Sequence, residues 1–336
     1  MNEVRMESFY RKYGPIWKEF ETGELIGQGS FGNVWELLSN GKPTGQVLKE
    51  VLVPPESSGG LIEARLQGLD EKGALLYYEG MKERALEEVL MMRHLFAYDE
   101  FVKFHDYQAC QVNKKRDTKD FGWMLFIRME KLTPFKKKLV AEGITVDELY
   151  KLGVDMCNAL MILKQEGIIH RDIKPENIFY DEKSKRYKLG DFGISYYRDR
   201  ETEVKGRPGT LTYMSPEVYK GKCFSYEDDM YAVGMLLYKL LNDNRIPFLE
   251  RYPVPYLPNE RNQAMNKRFQ GEKIPPASIY AYSEINTHPS LIVENGEMEK
   301  AYELEKIARR AIDAKPDNRF MAVEDMYFAI KESMTS

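Results

Sequence analysis

Four polar side chains of types that suit phosphate chemistry lie close together in the stretch GIIHRDIKPENIFYDEKSKRYKLGDFG, residues 167–193. Asp172, Lys174 and Asn177 fall within six residues, and Asp191 follows after enough chain for a short hairpin. Two acids and an amide are costly to bury unless a cation satisfies them. Carboxylate and amide oxygens are ligands that Mg²⁺ accepts. The stretch therefore indicates a site for Mg²⁺ and a phosphate group.

The same residue types meet the requirements of γ-phosphoryl transfer. That reaction needs in-line positioning, neutralisation of the phosphate oxygens, and an acceptor for the proton of the incoming hydroxyl. We assign proton acceptance to Asp172, contact with the γ-phosphate to Lys174, and metal ligation to Asn177 and Asp191.

A glycine-rich stretch near the N-terminus is a second candidate phosphate site. Gly27, Gly29 and Gly32 form the pattern G-x-G-x-x-G, and Val34 follows two residues later. Glycines let the backbone approach phosphates and offer its N–H groups. The chain continues after Gly32 as a strand-like stretch, NVWELL, so the pattern favours a hairpin over a dinucleotide-binding fold.

Lys49, on the next predicted strand, lies within reach of phosphates held by that hairpin, provided that a carboxylate holds it in place. A helix is predicted over about residues 81–96, and Glu88 borders its inward stripe because apolar residues follow at helical spacing. Glu87 is the alternative partner, with a histidine seven residues on. A solvated helix face that carries both glutamates is the remaining interpretation.

The elements that must position these residues change in character along the chain. Strand-like stretches and one helix dominate up to about Lys131, and helical periodicity dominates from about Leu132. Thr145 and Glu148 form a capping box at the start of one helix. The pattern predicts an α+β fold with two lobes, a small mostly-β N-lobe with one main helix and a larger mostly-α C-lobe.

The predicted divisions are an N-terminal extension, an N-lobe that carries the glycine pattern and Lys49, a C-lobe that carries the segment around Asp172, and a tail, at residues 1–19, 20–131, 132–331 and 332–336. The extension is rich in aromatic residues, which favours packing on the first lobe; a regulatory arm is the alternative. The segment 229–241 is apolar nearly all round and predicts a buried central helix. The run of lysines at 136–138 predicts a charged helix face.

The composition is that of an ordinary folded protein. The 336 residues include 43% apolar and 30% charged residues, and the net charge of −4 gives no indication of nucleic-acid binding. No apolar run reaches the roughly 18 residues that a membrane helix needs, and the N-terminus has no apolar signal-peptide core. Three scattered cysteines indicate reduced thiols in a cytoplasmic protein, with no metal site among them.

The sequence resembles the eukaryotic-type (Hanks-type) serine/threonine protein kinases over about residues 20–331. It carries G-x-G-x-x-G-x-V at 27–34, H-R-D at 170–172, D-F-G at 191–193 and S-P-E at 215–217, where A-P-E is usual. The resemblance implies the kinase fold described above and an ATP-dependent phosphotransferase, in which the N-lobe binds ATP and the C-lobe carries the catalytic residues and binds the peptide substrate.

The resemblance also implies three further pairings or positions. Lys49 and Glu88 form the ion pair that positions ATP. Asp229 matches the acid that begins the central helix, and Arg319 matches the arginine that pairs with Glu217.

The nucleotide contacts that the resemblance implies form a larger set. They are Ile26, Gly27, Gly29, Ser30, Gly32, Val34, Val47, Lys49, Met129, Glu130, Leu132 and Phe179. Among them Met129 gates the back of the pocket, and the backbone of Glu130 to Leu132 forms a hinge that bonds adenine. Val47 and Phe179 replace the usual alanine and leucine, which changes the shape of the base pocket and removes no chemical group.

The resemblance implies ATP and Mg²⁺ as cofactors, with Mn²⁺ as an alternative ion, and protein substrates modified on serine or threonine. Lys174 follows the catalytic acid by two residues and Thr210 bridges the two, as in serine/threonine kinases. General similarity favours the bacterial members of the family.

Arg171, beside the catalytic acid, implies regulation by a phosphate on the activation loop. Thr202, Thr210 and Thr212 are the candidate sites of autophosphorylation, and Thr202 has the most polar neighbours. The oligomeric state stays open, with a dimer as one arrangement for autophosphorylation. Two rival functions remain, a pseudokinase scaffold and a small-molecule phosphotransferase.

Overall fold

The computed structural model divides the chain into two compact units, residues 1–131 and 132–336. The structure describes residues 10, 17–29, 32–53, 66, 68–111, 122–193, 195–197, 209–250, 254–279, 291–294 and 296–335.

A five-stranded antiparallel sheet forms the first unit. Its strands are β1 (Glu21–Gly29), β2 (Gly32–Ser39), β3 (Lys42–Val53), β4 (Phe104–Gln111) and β5 (Trp123–Glu130). Their order across the sheet is β1-β2-β3-β5-β4, so β3 lies in the middle. The main helix of this unit is α1 (Glu71–His94).

Described aromatic residues of the N-terminal segment pack on this sheet. Tyr10 is buried in a cluster with side chains of β2, β3 and β5, and Trp17 packs against the same cluster. The backbone N–H of Tyr10 and the Nε1–H of Trp35 each donate to the Glu50 carboxylate at 2.8 Å. Packing on the first lobe therefore holds for these residues; Phe9 and Tyr13 lie outside the described part of the chain.

Helix α1 begins about ten residues before the predicted start. Asp70 caps it by accepting a hydrogen bond from the N–H of Gly73 at 2.7 Å. Its first turns leave large apolar side chains in contact with solvent, among them Leu76 at 61% exposure. The first turns therefore lack a clear division into an apolar and a polar face. Hydrophobic periodicity in the sequence could not reveal that the helix begins there.

The second unit is built mainly from helices. They are α2 (Phe135–Glu142), α3 (Val146–Gln165), α4 (Pro216–Tyr219), α5 (Tyr226–Leu241), α6 (Pro258–Gln270), α7 (Met298–Ala311) and α8 (Val323–Thr335). Short strands accompany them: β6 (Thr133–Pro134), β7 (Ile144–Thr145), β8 (Ile168–Ile169), β9 (Ile178–Asp181), β10 (Arg186–Leu189), β11 (Tyr196–Tyr197) and β12 (Leu291–Ile292).

The capping box and the buried central helix are both confirmed. Thr145 Oγ1 accepts from the N–H of Glu148, and Glu148 Oε2 accepts from the N–H of Thr145, both at 3.2 Å. Helix α5 is buried along almost its whole length. A Cβ added to Gly234 would lie 2.5 Å from the Cβ of Ala311, so this glycine lets α5 and α7 pack closely.

One of the three lysines at 136–138, which were predicted to form a charged helix face, is buried. Lys138 is 6% exposed, and its Nζ lies 2.7 Å from a carboxylate oxygen of Glu142 and 3.1 Å from one of Glu148. Its ammonium also lies 5.0 Å from the ring centroid of Tyr180. A buried cation needs such partners, and sequence spacing alone does not reveal the more distant ones.

The backbone at Gly32 admits no other residue without rearrangement. Its φ is +142°, and an added Cβ would lie 1.7 Å from the carbonyl oxygen of Glu50. We expect Gly32→Ala to lower the free energy of unfolding by roughly 2–4 kcal/mol, from strain and displacement of β3. Differential scanning calorimetry of the purified chain measures the effect.

Gly80→Ala is the matched control, because Gly80 lies inside α1 with open space around its Cβ position. We expect that substitution to raise stability by about 0.5–1 kcal/mol, as alanine usually does in a helix. Equal effects of the two substitutions would contradict the close approach at Gly32.

Candidate active site

An ion pair in the first unit joins two of the predicted residues. Lys49, on the central strand β3, lies opposite Val34 on one side and Ile127 on the other. Its Nζ lies 2.9 Å from Glu88 Oε1, and the side chains are 20% and 10% exposed. Glu87, the alternative partner, is exposed to solvent. Neighbouring strands on both sides hold the lysine, and the helix supplies its carboxylate.

The glycine pattern forms a hairpin. Gly29 at the end of β1 pairs with Gly32 at the start of β2, and Gly27 pairs with Val34. Ser30 lies outside the described residues. The strand that follows the last glycine is the arrangement expected from the sequence.

The predicted base-contacting residues fall in both units. In the first, Ile26 is 43% exposed, and Val47 is buried and lies opposite Met129. In the second, Phe179 lies on β9, and Leu132 precedes β6; both are partly buried.

Two hinge amides are already used within the first unit. The N–H of Glu130 donates to the carbonyl of Lys103 at 3.0 Å, and the N–H of Lys131 donates to the carbonyl of Gly45 at 2.8 Å. The N–H of Leu132 donates to no residue that the structure describes. Of these three amides, that of Leu132 is the one available to a ligand.

The Asp172 carboxylate is the centre of a hydrogen-bond network in the second unit. Lys174 Nζ donates to Oδ2 at 2.5 Å, and Thr210 Oγ1 donates to Oδ1 at 2.8 Å. Lys174 Nζ also donates to Thr210 Oγ1 at 3.2 Å. Asn177 Nδ2 donates to the carbonyl of Asp172 at 2.8 Å and to Oδ2 at 3.2 Å. These contacts orient the acid, the lysine and the amide together.

A buried acid holds the backbone just before this network. Asp229 is 2% exposed, and its two oxygens accept the N–H groups of His170 at 2.7 Å and Arg171 at 2.8 Å. Burial raises the pKa of Asp229 to about 7, against the two backbone donors, which lower it. Arg171 has a φ of +69°, a left-handed conformation that a non-glycine residue adopts only when its surroundings hold it.

The imidazole of His170 links the backbone at Asp172 to the backbone just before Asp191. Burial lowers its pKa, so the neutral ring is favoured. Its Nδ1 accepts from the N–H of Asp172 at 3.3 Å, which leaves the proton on Nε2 to donate to the carbonyl of Gly190 at 3.2 Å. The residue before Asp191 is thereby tied to the residue before Arg171.

The β9–β10 hairpin explains the distance in sequence between the two predicted metal ligands. Ile178 pairs with Leu189, so Asn177 and Asp191 adjoin the same end of the hairpin. The N–H of Gly190 donates to the carbonyl of Asn177 at 2.9 Å. Because Asn177 Nδ2 faces Asp172, its Oδ1 remains as an acceptor.

These two oxygen donors fit a small divalent cation that keeps other ligands. Among the described residues, no three His, Cys, Asp or Glu side chains are grouped to hold a metal. A cation held by Asn177 and Asp191 would therefore need further oxygens from phosphate or water.

The S-P-E glutamate and the distant arginine form a bidentate ion pair. Arg319 Nη1 and Nη2 lie 3.0 and 3.2 Å from the two oxygens of Glu217. Arg319 is 6% exposed and its guanidinium lies 4.8 Å from the ring centroid of Tyr231. The pair links the start of α4 to the chain just before α8.

The cations that contact residues 211–213 were not predicted from the sequence. Arg268 is 1% exposed on α6, a helix whose mean composition is strongly polar, and it was not separated from surface residues. A buried arginine among polar neighbours has no distinct local signal.

Two of the candidate phosphorylation sites are engaged in the structure. Thr210 Oγ1 binds Asp172, and Thr212 is buried and accepts from Arg261 Nη2 at 2.9 Å. Thr202 lies outside the described residues.

A family model for the protein kinase domain matches residues 20–326. The chain belongs to the protein kinase family. The predicted α+β fold, with a mostly-β first part and a mostly-α second part, is confirmed.

Curated relatives of the chain are eukaryotic kinases. A probable serine/threonine-protein kinase of Dictyostelium discoideum is 34% identical over 171 residues, 46% of this chain and 15% of that protein. Ribosomal protein S6 kinase alpha-6 of Homo sapiens is 29% identical over 261 residues, 76% of this chain and 29% of that protein. Serine/threonine/tyrosine-protein kinase HT1 of Arabidopsis thaliana is 31% identical over 112 residues, 33% of this chain and 28% of that protein. The chain thus matches less than a third of each relative.

None of the helices among the described residues is both long and apolar enough to cross a membrane.

The Lys49–Glu88 pair yields a prediction with a neighbouring control. We expect Glu88→Ala to lower kcat/KM for ATP on the order of 10–100-fold, because the lysine loses the partner that orients it. Glu87→Ala removes the same group from the exposed side of α1 and should change kcat/KM less than about twofold. Steady-state kinetics at varied ATP measures both, and equal losses would contradict the assignment.

The Glu217–Arg319 pair yields a prediction about stability. We expect Arg319→Met to lower the free energy of unfolding by roughly 2–4 kcal/mol, because it leaves a partly buried carboxylate without its partner. Lys306→Met breaks the exposed pair with Glu303 and should cost less than about 1 kcal/mol. Thermal unfolding followed by circular dichroism compares the two; similar shifts would show that the buried pair is not special.

Proposed function

We propose that this chain is an ATP-dependent protein kinase that phosphorylates serine or threonine. The observation that carries the proposal is the network in which Lys174, Thr210 and Asn177 all contact Asp172. A carboxylate held in this way, inside a member of the protein kinase family, suits proton acceptance from an alcohol.

Each residue has a role that follows from its contacts. Asp172 accepts the proton of the substrate hydroxyl, and Lys174 places a positive charge beside that carboxylate for the transferred phosphoryl group. Lys49, oriented by Glu88, binds nucleotide phosphates, while the glycine hairpin offers backbone N–H groups. The amide of Leu132 donates to the adenine base.

Asn177 Oδ1 and the Asp191 carboxylate are the residues that would hold a divalent cation, and Mg²⁺ is our proposal, with Mn²⁺ as the alternative. Such a cation neutralises phosphate oxygens when bound. The chain's own contribution is to hold both oxygens at one end of the β9–β10 hairpin.

Serine/threonine specificity is supported by the contact of Lys174 with both Asp172 and Thr210. One relative is named a serine/threonine/tyrosine kinase, so a test must include tyrosine acceptors. The resemblance to bacterial members remains a prediction. The relatives reported above are eukaryotic and give it no support. Protein substrates, a cytoplasmic location and a dimer for autophosphorylation belong to the same proposal.

Autophosphorylation is proposed for the segment that precedes Gly209 in the sequence, and Thr202 is the remaining candidate. Thr210 and Thr212 already use their hydroxyls in contacts with Asp172 and Arg261. A phosphate near Arg171 would find a guanidinium that stacks 4.6 Å from the ring centroid of Tyr196.

The decisive test follows the intact mass of the purified chain with Mg-ATP and a generic protein acceptor. We expect gains of phosphoryl mass, mapped to serine or threonine, in the wild type and in Asp147→Asn, whose acid is exposed on α3. Asp172→Asn keeps the shape of the side chain, lacks the base, and should lose at least about 10³-fold in rate.

If the wild type phosphorylated neither itself nor the acceptor, the proposal would be wrong and a scaffold without turnover would be favoured. Transfer to a metabolite alone would favour a small-molecule phosphotransferase. Modification of tyrosine alone would overturn the assigned acceptor class.

A further inference from the structure

Residues 209–214, called the shelf below, are hydrogen-bonded to Asp172, the proposed proton acceptor. The N–H of Thr210 donates to Asp172 Oδ1 at 3.1 Å, and its hydroxyl donates to the same oxygen at 2.8 Å. Leu211, the next residue, is 48% exposed. A polypeptide that presents a hydroxyl to Asp172 therefore has the shelf as its neighbour.

Cations contact each of the next three residues of the shelf. Arg268 Nη2 donates to the carbonyl of Leu211 and Nη1 donates to that of Thr212, both at 2.7 Å. Arg261 Nη2 donates to Thr212 Oγ1 at 2.9 Å. Lys239 Nζ donates to Tyr213 Oη at 2.9 Å.

These three cations lack carboxylate partners within the described part of the chain. Elsewhere in the same unit, buried or partly buried cations such as Lys138 and Arg319 lie against acids. Arg268, Arg261 and Lys239 instead contact carbonyl, hydroxyl and phenol oxygens. Positive charge therefore accumulates beneath the shelf with no carboxylate at ion-pair distance among the described residues.

The charges that act on Lys239 show the imbalance. Burial, and then the cations Arg261, Arg268 and Lys136, lower its pKa to about 8, and the acid that raises it is Glu176. Glu176 is itself paired with Lys136 at 3.1 Å. The nearby acid is thus already matched, and an incoming carboxylate would relieve the repulsion among the cations.

We propose that the shelf selects protein substrates that carry an acidic side chain within a few residues of the phosphorylated hydroxyl. The proposal rests on the protein kinase function proposed above and names the class of its substrates. Arg261, which is exposed, and Lys239 attract the acidic side chain; Arg268, which is buried, is a positioning residue for the shelf.

Three synthetic peptides of identical length test the proposal by kinetics. They share a central serine and differ in having glutamate, glutamine or lysine at all flanking test positions. One charge contact near a protein surface is worth about 1 kcal/mol or more, so we expect kcat/KM to fall at least about fivefold from glutamate to glutamine. Lysine should be worse again, and equal or higher activity with lysine would overturn the proposal.

Binding of the same peptides, with the serine replaced by alanine and a fluorescent label attached, gives an independent measurement. Fluorescence anisotropy should show the glutamate peptide bound most tightly, with a Kd that rises as salt is added. This measurement needs no turnover. An inactive chain that still prefers the acidic peptide would refute the kinase function alone, whereas active transfer without charge preference would refute the acidic selection alone.

Charge variants locate the effect on the shelf. We expect Arg261→Gln and Lys239→Met each to weaken binding of the glutamate peptide by about fivefold, and Arg261→Lys to keep most of the binding. Arg261→Glu should reverse the preference toward the lysine peptide. Lys267→Gln is the matched control, since Lys267 is exposed on the same helix and lies near Phe248. Equal weakening by Lys267→Gln would show a general charge effect and overturn the assignment to the shelf.

Discussion

The catalytic segment depends on one buried carboxylate. Asp229 lies in the first turn of the central helix α5, where the helix dipole favours negative charge. It accepts the N–H groups of His170 and Arg171 and so holds the left-handed backbone at Arg171. The position of Asp172 follows, and with it the contacts to Lys174 and Thr210. Helix α5, which is buried almost throughout, thus anchors the partly exposed residues Arg171 and Asp172.

Strand alternation on β3 separates the contact with helix α1 from the contact with the N-terminal segment. Adjacent residues on β3 face opposite sides of the sheet. Lys49 therefore reaches Glu88 of α1, whereas Glu50 is buried on the other side and accepts from Tyr10 and Trp35. The N-terminal segment and helix α1 consequently contact opposite faces of the same strand, through Glu50 and Lys49. Displacement of β3 would disturb both.

Buried cations in the second unit have two kinds of partner. Lys138 and Arg319 are buried against acids and serve the fold, because an unpaired charge inside a protein is costly. Arg268 is buried as completely and contacts backbone carbonyls of the shelf instead. Carbonyl oxygens satisfy its hydrogen bonds but do not cancel its charge. Positive charge without a carboxylate partner among the described residues therefore lies beneath residues 211–213, where we propose that a substrate chain approaches.

Local patterns in the amino-acid chain were enough to identify the glycine hairpin, the Thr145 cap, the central helix and the motif that contains Asp172. These depend on spacing and propensity over a few residues. Contacts between distant segments were not accessible in that way, as for the burial of Lys138 and the role of Arg268. Each depends on which side chains the fold brings together across tens of residues. Helix α1 also began earlier than predicted, because its first turns are stabilised by a cap while their apolar side chains remain exposed.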